Sequence, residues 1–172
     1  MDMKASEKMH KIGYELKDAK FTVNRDLNFN VASIKIESKQ GEMVNLPRWV
    51  GQILEENGLG ELDSPDMITE LKQALSKEKM IGEYQISTLA PDFYIKLKAT
   101  MKKLDRYDFD NVESVMMELF RMRRGKIIKL ADSTKITAEL NSKLTAEEKI
   151  FFKSINNSSK KFEMHIKGDP AE

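Results

Sequence analysis

Apolar residues alternate with polar ones early in the chain and recur every three or four residues later, so two kinds of element are predicted in sequence. Ala32, Ile34 and Ile36 alternate with Ser33, Lys35 and Glu37, the period-two signature of a strand with one buried face. Phe29 and Val31 carry the opposite parity, which predicts a bulge before Ala32. Gln40-Gly41 predicts a turn and Glu42–Leu46 a returning strand. Pro47 then opens a helix carrying Trp49, Val50, Ile53 and Leu54 at helical spacing, closed by Asn57-Gly58 as a left-handed cap. Leu59 and Leu62 read as a third extended piece.

Ser64-Pro65-Asp66 is a helix-start signal. Met67/Ile68, Leu71 and Leu75 line a short helix that Gly82 breaks. Pro91-Asp92 opens another, with Phe93/Tyr94, Leu97, Met101 and Leu104 as its stripe. A long helix is predicted from about Asp108 to Ala131, its apolar stripe running through Val112, Val115/Met116, Leu119, Met122, Ile127 and Leu130. Thr145-Ala-Glu-Glu148 fits a capping box, and the helix it opens, through Phe151, Phe152 and Ile155, is expected to end at Asn156–Ser159. Phe162, Met164 and Ile166 then alternate with Glu163, His165 and Lys167, as a short edge strand or a disordered tail would. The fold class expected is α+β, mainly α: an extension over 1–20, frayed or dependent on a partner; a small β-rich domain with one helix over 21–63; a helical bundle over 64–157; and a tail over 158–172.

Charge and composition narrow the chemistry. The 29 basic and 28 acidic residues nearly cancel, so no global field draws the molecule to DNA or an anionic membrane, and any nucleic-acid contact must be local. There is no cysteine, and the two histidines, His10 and His165, fall in the predicted terminal segments, so no metal site, cofactor or nucleophile-base pair is expected. No phosphate-binding loop is present, and Gly58-Leu-Gly60 follows a helix, as a cap does. The start lacks the apolar core of a secretory signal and no run approaches a membrane span, so an intracellular location is expected. A non-enzymatic, protein-binding role follows from these exclusions.

The densest charged feature is Arg121-Met-Arg123-Arg124-Gly-Lys126-Ile-Ile-Lys129. Arg121, Arg123 and Lys126 are candidates for a basic contact. Three readings stay open: a solvated helix flank, a protein interface, or a nucleic-acid-binding module holding phosphates. Trp49, the only tryptophan, is either core or an interface anchor.

Two stretches together resemble a known family. Glu42-Met-Val-Asn-Leu-Pro-Arg-Trp-Val-Gly-Gln-Ile-Leu-Glu-Glu-Asn-Gly58 is similar to the strand-to-helix element in the small domain of archaeal GINS subunits. Leu89-Ala-Pro-Asp-Phe-Tyr94, the helix Leu119–Ala131 and Leu144-Thr-Ala-Glu-Glu-Lys149 resemble the GINS helical domain. The small-domain-first order resembles the class related to the second and third subunits of the eukaryotic complex, whereas the arginine-rich stretch resembles the other class. The resemblance implies a non-catalytic scaffold in DNA replication: a tetramer, either of one subunit or two copies each of two paralogues, that binds the MCM helicase and a RecJ-like companion, in an archaeal cytoplasm or nucleoid. It also implies that Val112, Met116, Leu119, Phe120, Arg124 and Ile127 lie at subunit interfaces and that Arg48 and Trp49 hold or present the small domain.

Overall fold

The computed structural model describes residues 3–31, 34–63, 66–133 and 135–168. The chain divides into two compact units, one of Lys8–Pro65 and the other of Asp66–Glu172 together with Met1–Glu7. It is α+β and mainly helical, with strands at the N-terminal end and a helical bundle after them.

Within the stretch expected as an extension over 1–20, the described residues 3–20 hold a helix and the first half of a strand. Helix α1 spans Met3–Glu15 and strand β1 spans Asp18–Val23. Tyr14 is buried, with the Arg48 guanidinium 4.6 Å above its ring. Ala19, Phe21 and Val23 point inward while Asp18 and Lys20 point out. A small alanine among charges hid this alternation, which begins before Phe21.

β1 is the middle of a three-stranded antiparallel sheet in the order β4-β1-β5, with β4 at Met43–Pro47 and β5 at Gly60–Leu62. Phe21 stands opposite Val44 on one side and Leu62 on the other. β2 (Leu27–Val31) and β3 (Ile34–Ser38) form a separate antiparallel pair, Phe29 opposite Ile36. The parity change read as a bulge is thus a reversal between two strands, and the bulge position at Ala32 lies outside the described residues. The strand at Met43–Pro47 returns against β1, not against the strand that precedes it. Helix α2 (Arg48–Glu56) begins one residue after Pro47, which serves as its N-cap, and Gly58 takes the left-handed conformation at φ 67°. Val50 and Leu54 bury one face of α2 against Phe21, Val23, Leu46 and Leu62, with Trp49 half-buried beside them.

Gly60 shows how tightly this unit is built. A Cβ there would lie 2.2 Å from the Thr22 carbonyl oxygen and 2.4 Å from the Phe21 ring, whereas one at Gly51 would meet only the Leu62 side chain, at 2.6 Å. Backbone cannot yield as a leucine tip can, so Gly60→Ala should destabilise the unit by about 1–3 kcal/mol and Gly51→Ala by less. Trp49 is the only tryptophan, so urea unfolding followed by its fluorescence reads this unit directly; equal midpoints for the two variants would contradict the account.

The second unit holds α3 (Met67–Met80), α4 (Phe93–Met101), α5 (Arg106–Ser133), α6 (Ala138–Lys143) and α7 (Ala146–Lys167). Ser64 and Pro65 of the expected start signal lie outside the described residues, and Asp66 is the cap, its carboxylate accepting the Thr69 amide at 3.0 Å. Thr145 and Glu148 close the expected capping box at the start of α7. α5 and α7 lie side by side and run parallel, since Arg123 meets Glu148, Ala131 meets Asn156 and Asp132 meets Ser159. Such a pair needs a crossover, and α6 lies within the connection between them.

Neither the stop expected at Asn156–Ser159 nor the strand at Phe162–Ile166 forms; α7 continues to Lys167 and Gly168 caps it. Asn156 donates from Nδ2 to the Ala131 carbonyl at 2.7 Å, and Ser159 donates to the Asp132 carboxylate at 2.8 Å. These polar side chains satisfy the C-terminal end of α5 instead of competing with their own backbone. Among the described residues no helix is long and apolar enough to cross a membrane, and no group of three or more metal-ligating side chains assembles.

Candidate interaction surface and the buried charge belt

α5 is about 42 Å long at 1.5 Å per residue and serves two apolar clusters. Val112 and Leu119 pack with Met67, Leu71, Leu75, Leu89, Phe93 and Leu97, while Ile127 and Ala131 pack with Ile86, Leu144 and Phe152. Between these clusters the buried stripe of α5 carries Arg123 and Lys126.

Arg123 is fully buried and its fork is filled. Nε donates to Glu148 Oε1 at 2.6 Å and Nη2 to Glu148 Oε2 at 2.8 Å, a bidentate pair. Nη1 donates to Glu78 Oε2 and to the Ser87 carbonyl, both at 2.8 Å, and Nη2 reaches the Lys143 carbonyl at 3.3 Å. Lys126 Nζ lies 2.8 Å from Glu78 Oε1 and donates to the Glu78 and Ile81 carbonyls. The Tyr94 hydroxyl donates to Glu148, which also accepts the Thr145 amide. One arginine thereby joins α3, the segment between α3 and α4, α5, and the start of α7.

Two cations face two carboxylates, so the belt is neutral. Burial alone pushes the Glu78 carboxyl up, but hydrogen bonds from Lys126 and Ser87 and the Arg123 charge outweigh it and hold Glu78 below its ordinary range. Burial works against the Arg123 cation, and its bonds to Glu148 more than restore it. Burial and then the Glu148 charge push the Tyr94 phenol well above its usual value. Glu78 is thus held ionised by the cations it faces. The belt is therefore an assembly of fixed charges that orders helices.

This geometry revises the candidates read from sequence. Arg123 and Lys126 are not part of a basic contact, because both are consumed inside the bundle; only Arg121 of that trio is exposed. Val112, Leu119 and Ile127 are buried in this chain's own core, and half-buried Met116 packs against it, so none of the four presents a free interface side chain. Phe120 and Arg124 do face outward, stacked with the guanidinium carbon 5.6 Å from the ring centroid. Met117 and Ile128 share that outer side and are 37% and 41% exposed, as Phe120 is at 41%. Helical spacing of three, four and four residues aligns 117, 120, 124 and 128 as one strip. Arg48 lies over Tyr14 and Trp49 packs on the small sheet, which makes both part of that unit's own packing.

Glu78, Ser87, Tyr94 and the second role of Glu148 escaped the sequence reading. A signal existed: Arg123 sits four residues after Leu119 and four before Ile127, on the stripe that faces inward, where a charge demands a buried partner.

No curated protein matches the chain. A family model described as the GINS complex protein helical bundle domain matches residues 61–166, a span that contains the whole of α3–α6, nearly all of α7, both apolar clusters and the charge belt. On that match, which covers more than half of its length, the chain belongs to the GINS family and is a GINS complex subunit.

Proposed function

We propose that the chain acts as a scaffold subunit of a tetrameric GINS assembly, binding a paralogous subunit or its own copies through the outer face of α5 and supporting the MCM helicase and a RecJ-like companion at replication forks. The observation that carries this reading is the strip of Met117, Phe120, Arg124 and Ile128, apolar and solvent-facing along a helix whose opposite side is already satisfied. Such a face loses exposed apolar area only by association. Arginine stacked on phenylalanine is a combination favoured at interfaces. The chain is read as a small domain followed by a helical domain that supplies this surface, and as an archaeal protein of the small-domain-first class.

Direct DNA contact through the basic helix end Arg121–Lys129 is the second reading and rests on Arg121 and Arg124, exposed along with Lys129, which is paired with Glu83. The test is the mass of the purified chain by light scattering, alone and mixed with its cognate paralogue. Four-chain masses in one of the two conditions are expected. A monomer in both would overturn the scaffold reading.

A further inference from the structure

We propose that one side of α7 binds the phosphate backbone of duplex DNA. Lys149, Lys153, Lys160 and Lys167 follow one another at intervals of four, seven and seven residues. At 3.6 residues per turn those intervals bring all four within about 40° around the helix, a straight line of charge about 27 Å long. Lys149 is half-buried and the other three are exposed, and Asn157 and Met164, also exposed, share this side. Phe162 and Ile166 lie on a different side. Among the described residues Lys149, Lys153 and Lys160 meet no carboxylate, and Lys167 has Glu163 only at 4.0 Å. Elsewhere in the same unit Lys79, Lys96, Lys126, Lys129 and Lys143 each lie against a carboxylate. Residues 149–167 carry five lysines against one glutamate, net +4, on a chain whose total is +1. The line on α7 is thus left without the counter-charge that those other lysines have.

Composition and geometry select the occupant. Protein interfaces have an apolar or aromatic centre and are depleted in lysine, whereas the one large apolar side chain on this side is Met164, 47% exposed. A membrane surface needs an apolar face that can enter the bilayer beside the lysines, and the apolar side of α7 is spent inside the bundle at Phe152 and Ile155. Single strands are held by aromatic side chains on which bases stack, and no aromatic residue stands in this line. A second copy of the same segment would set lysine against lysine. Duplex DNA is a stiff polyanion with one charge per about 1.7 Å of axis, and it answers a straight row of lysines borne on a rigid helix. Lysine and asparagine contact phosphates without reading bases, so binding is independent of sequence. The surface is separate from Arg121 and Arg124 on α5, and the proposal does not depend on subunit assembly.

The experiment uses the full chain and fluorescence anisotropy of a labelled duplex of arbitrary sequence, titrated between about 50 and 200 mM salt. Oligothymidine and poly-glutamate serve as competing polyanions. The duplex should bind more tightly than either, and the logarithm of its affinity should fall against the logarithm of salt with a slope of about −3 to −4, as three or four phosphate contacts require. Lys153→Gln/Lys160→Gln should flatten that slope by about 2. The charge-matched variant Lys72→Gln/Lys77→Gln, exposed on α3, should keep the parent's slope, as should Arg121→Gln on α5. All these variants alter exposed residues, and circular dichroism should match the parent. No duplex binding at the lowest salt, a slope indifferent to Lys153→Gln/Lys160→Gln, an equal loss in Lys72→Gln/Lys77→Gln or Arg121→Gln, or competition by oligothymidine or poly-glutamate as strong as by unlabelled duplex would each overturn the proposal.

Discussion

Arg123→Met should cost the helical unit about 3–5 kcal/mol, because it leaves buried Glu148 without a cation and buried Glu78 with Lys126 alone. For a unit of this size that is a fall in melting temperature on the order of 10–40 °C, read by far-ultraviolet circular dichroism of the full chain. The loss reflects stranded charge more than a missing attraction, so the triple variant Glu78→Gln/Arg123→Met/Glu148→Gln should recover a large part of it. Arg123→Lys should fall between, since an ammonium cannot span both oxygens of Glu148. Acid completes the argument. Glu78 is held below its ordinary value in the folded chain, so its contribution is present above the unfolded carboxyl value and lost as pH falls through the folded one. The parent should therefore lose stability steeply only below about pH 4.5, near the ordinary glutamate value, and Glu78→Gln should show a shallower acid limb. An Arg123→Met variant within about 1 kcal/mol of the parent, the range of an exposed ion pair, would refute the belt as a structural element.

The second large effect concerns association. Phe120→Glu combined with Ile128→Glu places two carboxylates on the outer strip of α5 while leaving both apolar clusters intact. Central apolar anchors contribute about 2 kcal/mol or more each to an interface, so losing two should weaken the complex with the cognate subunit by roughly a thousandfold, and light scattering should show it reverting to single chains. The melting temperature should stay near that of the parent, since neither side chain belongs to the two apolar clusters. Leu119→Ala is the contrasting control. Leu119 is fully buried one residue away, so truncating it should lower stability by about 2–5 kcal/mol and affect assembly only through folding. A tetramer that survives Phe120→Glu/Ile128→Glu would move the subunit contact to another surface.

Long-period features were legible in the sequence and pairings were not. The helical stripes of α3, α4 and α5 and the Thr145-Glu148 box could be read because each is decided within a few residues of itself. β1 was missed because Ala19 adds little to a hydrophobic pattern, and its role as the middle strand depends on partners more than 20 residues away. The run Asn156-Asn-Ser-Ser was mistaken for a helix stop because the bonds of Asn156 and Ser159 go to α5, which local propensity cannot anticipate. The candidate site suffered the same way. Arg121, Arg123 and Lys126 are near neighbours in sequence, but only their positions on the helix decide that one faces water and two face Glu78 and Glu148.

The belt also governs how the chain can drift over time. Glu78, Arg123 and Glu148 belong to three different helices, and altering any one of them strands the others. Neutral single steps are closed at these positions, so descendants should keep the whole trio or have exchanged it together for hydrocarbon.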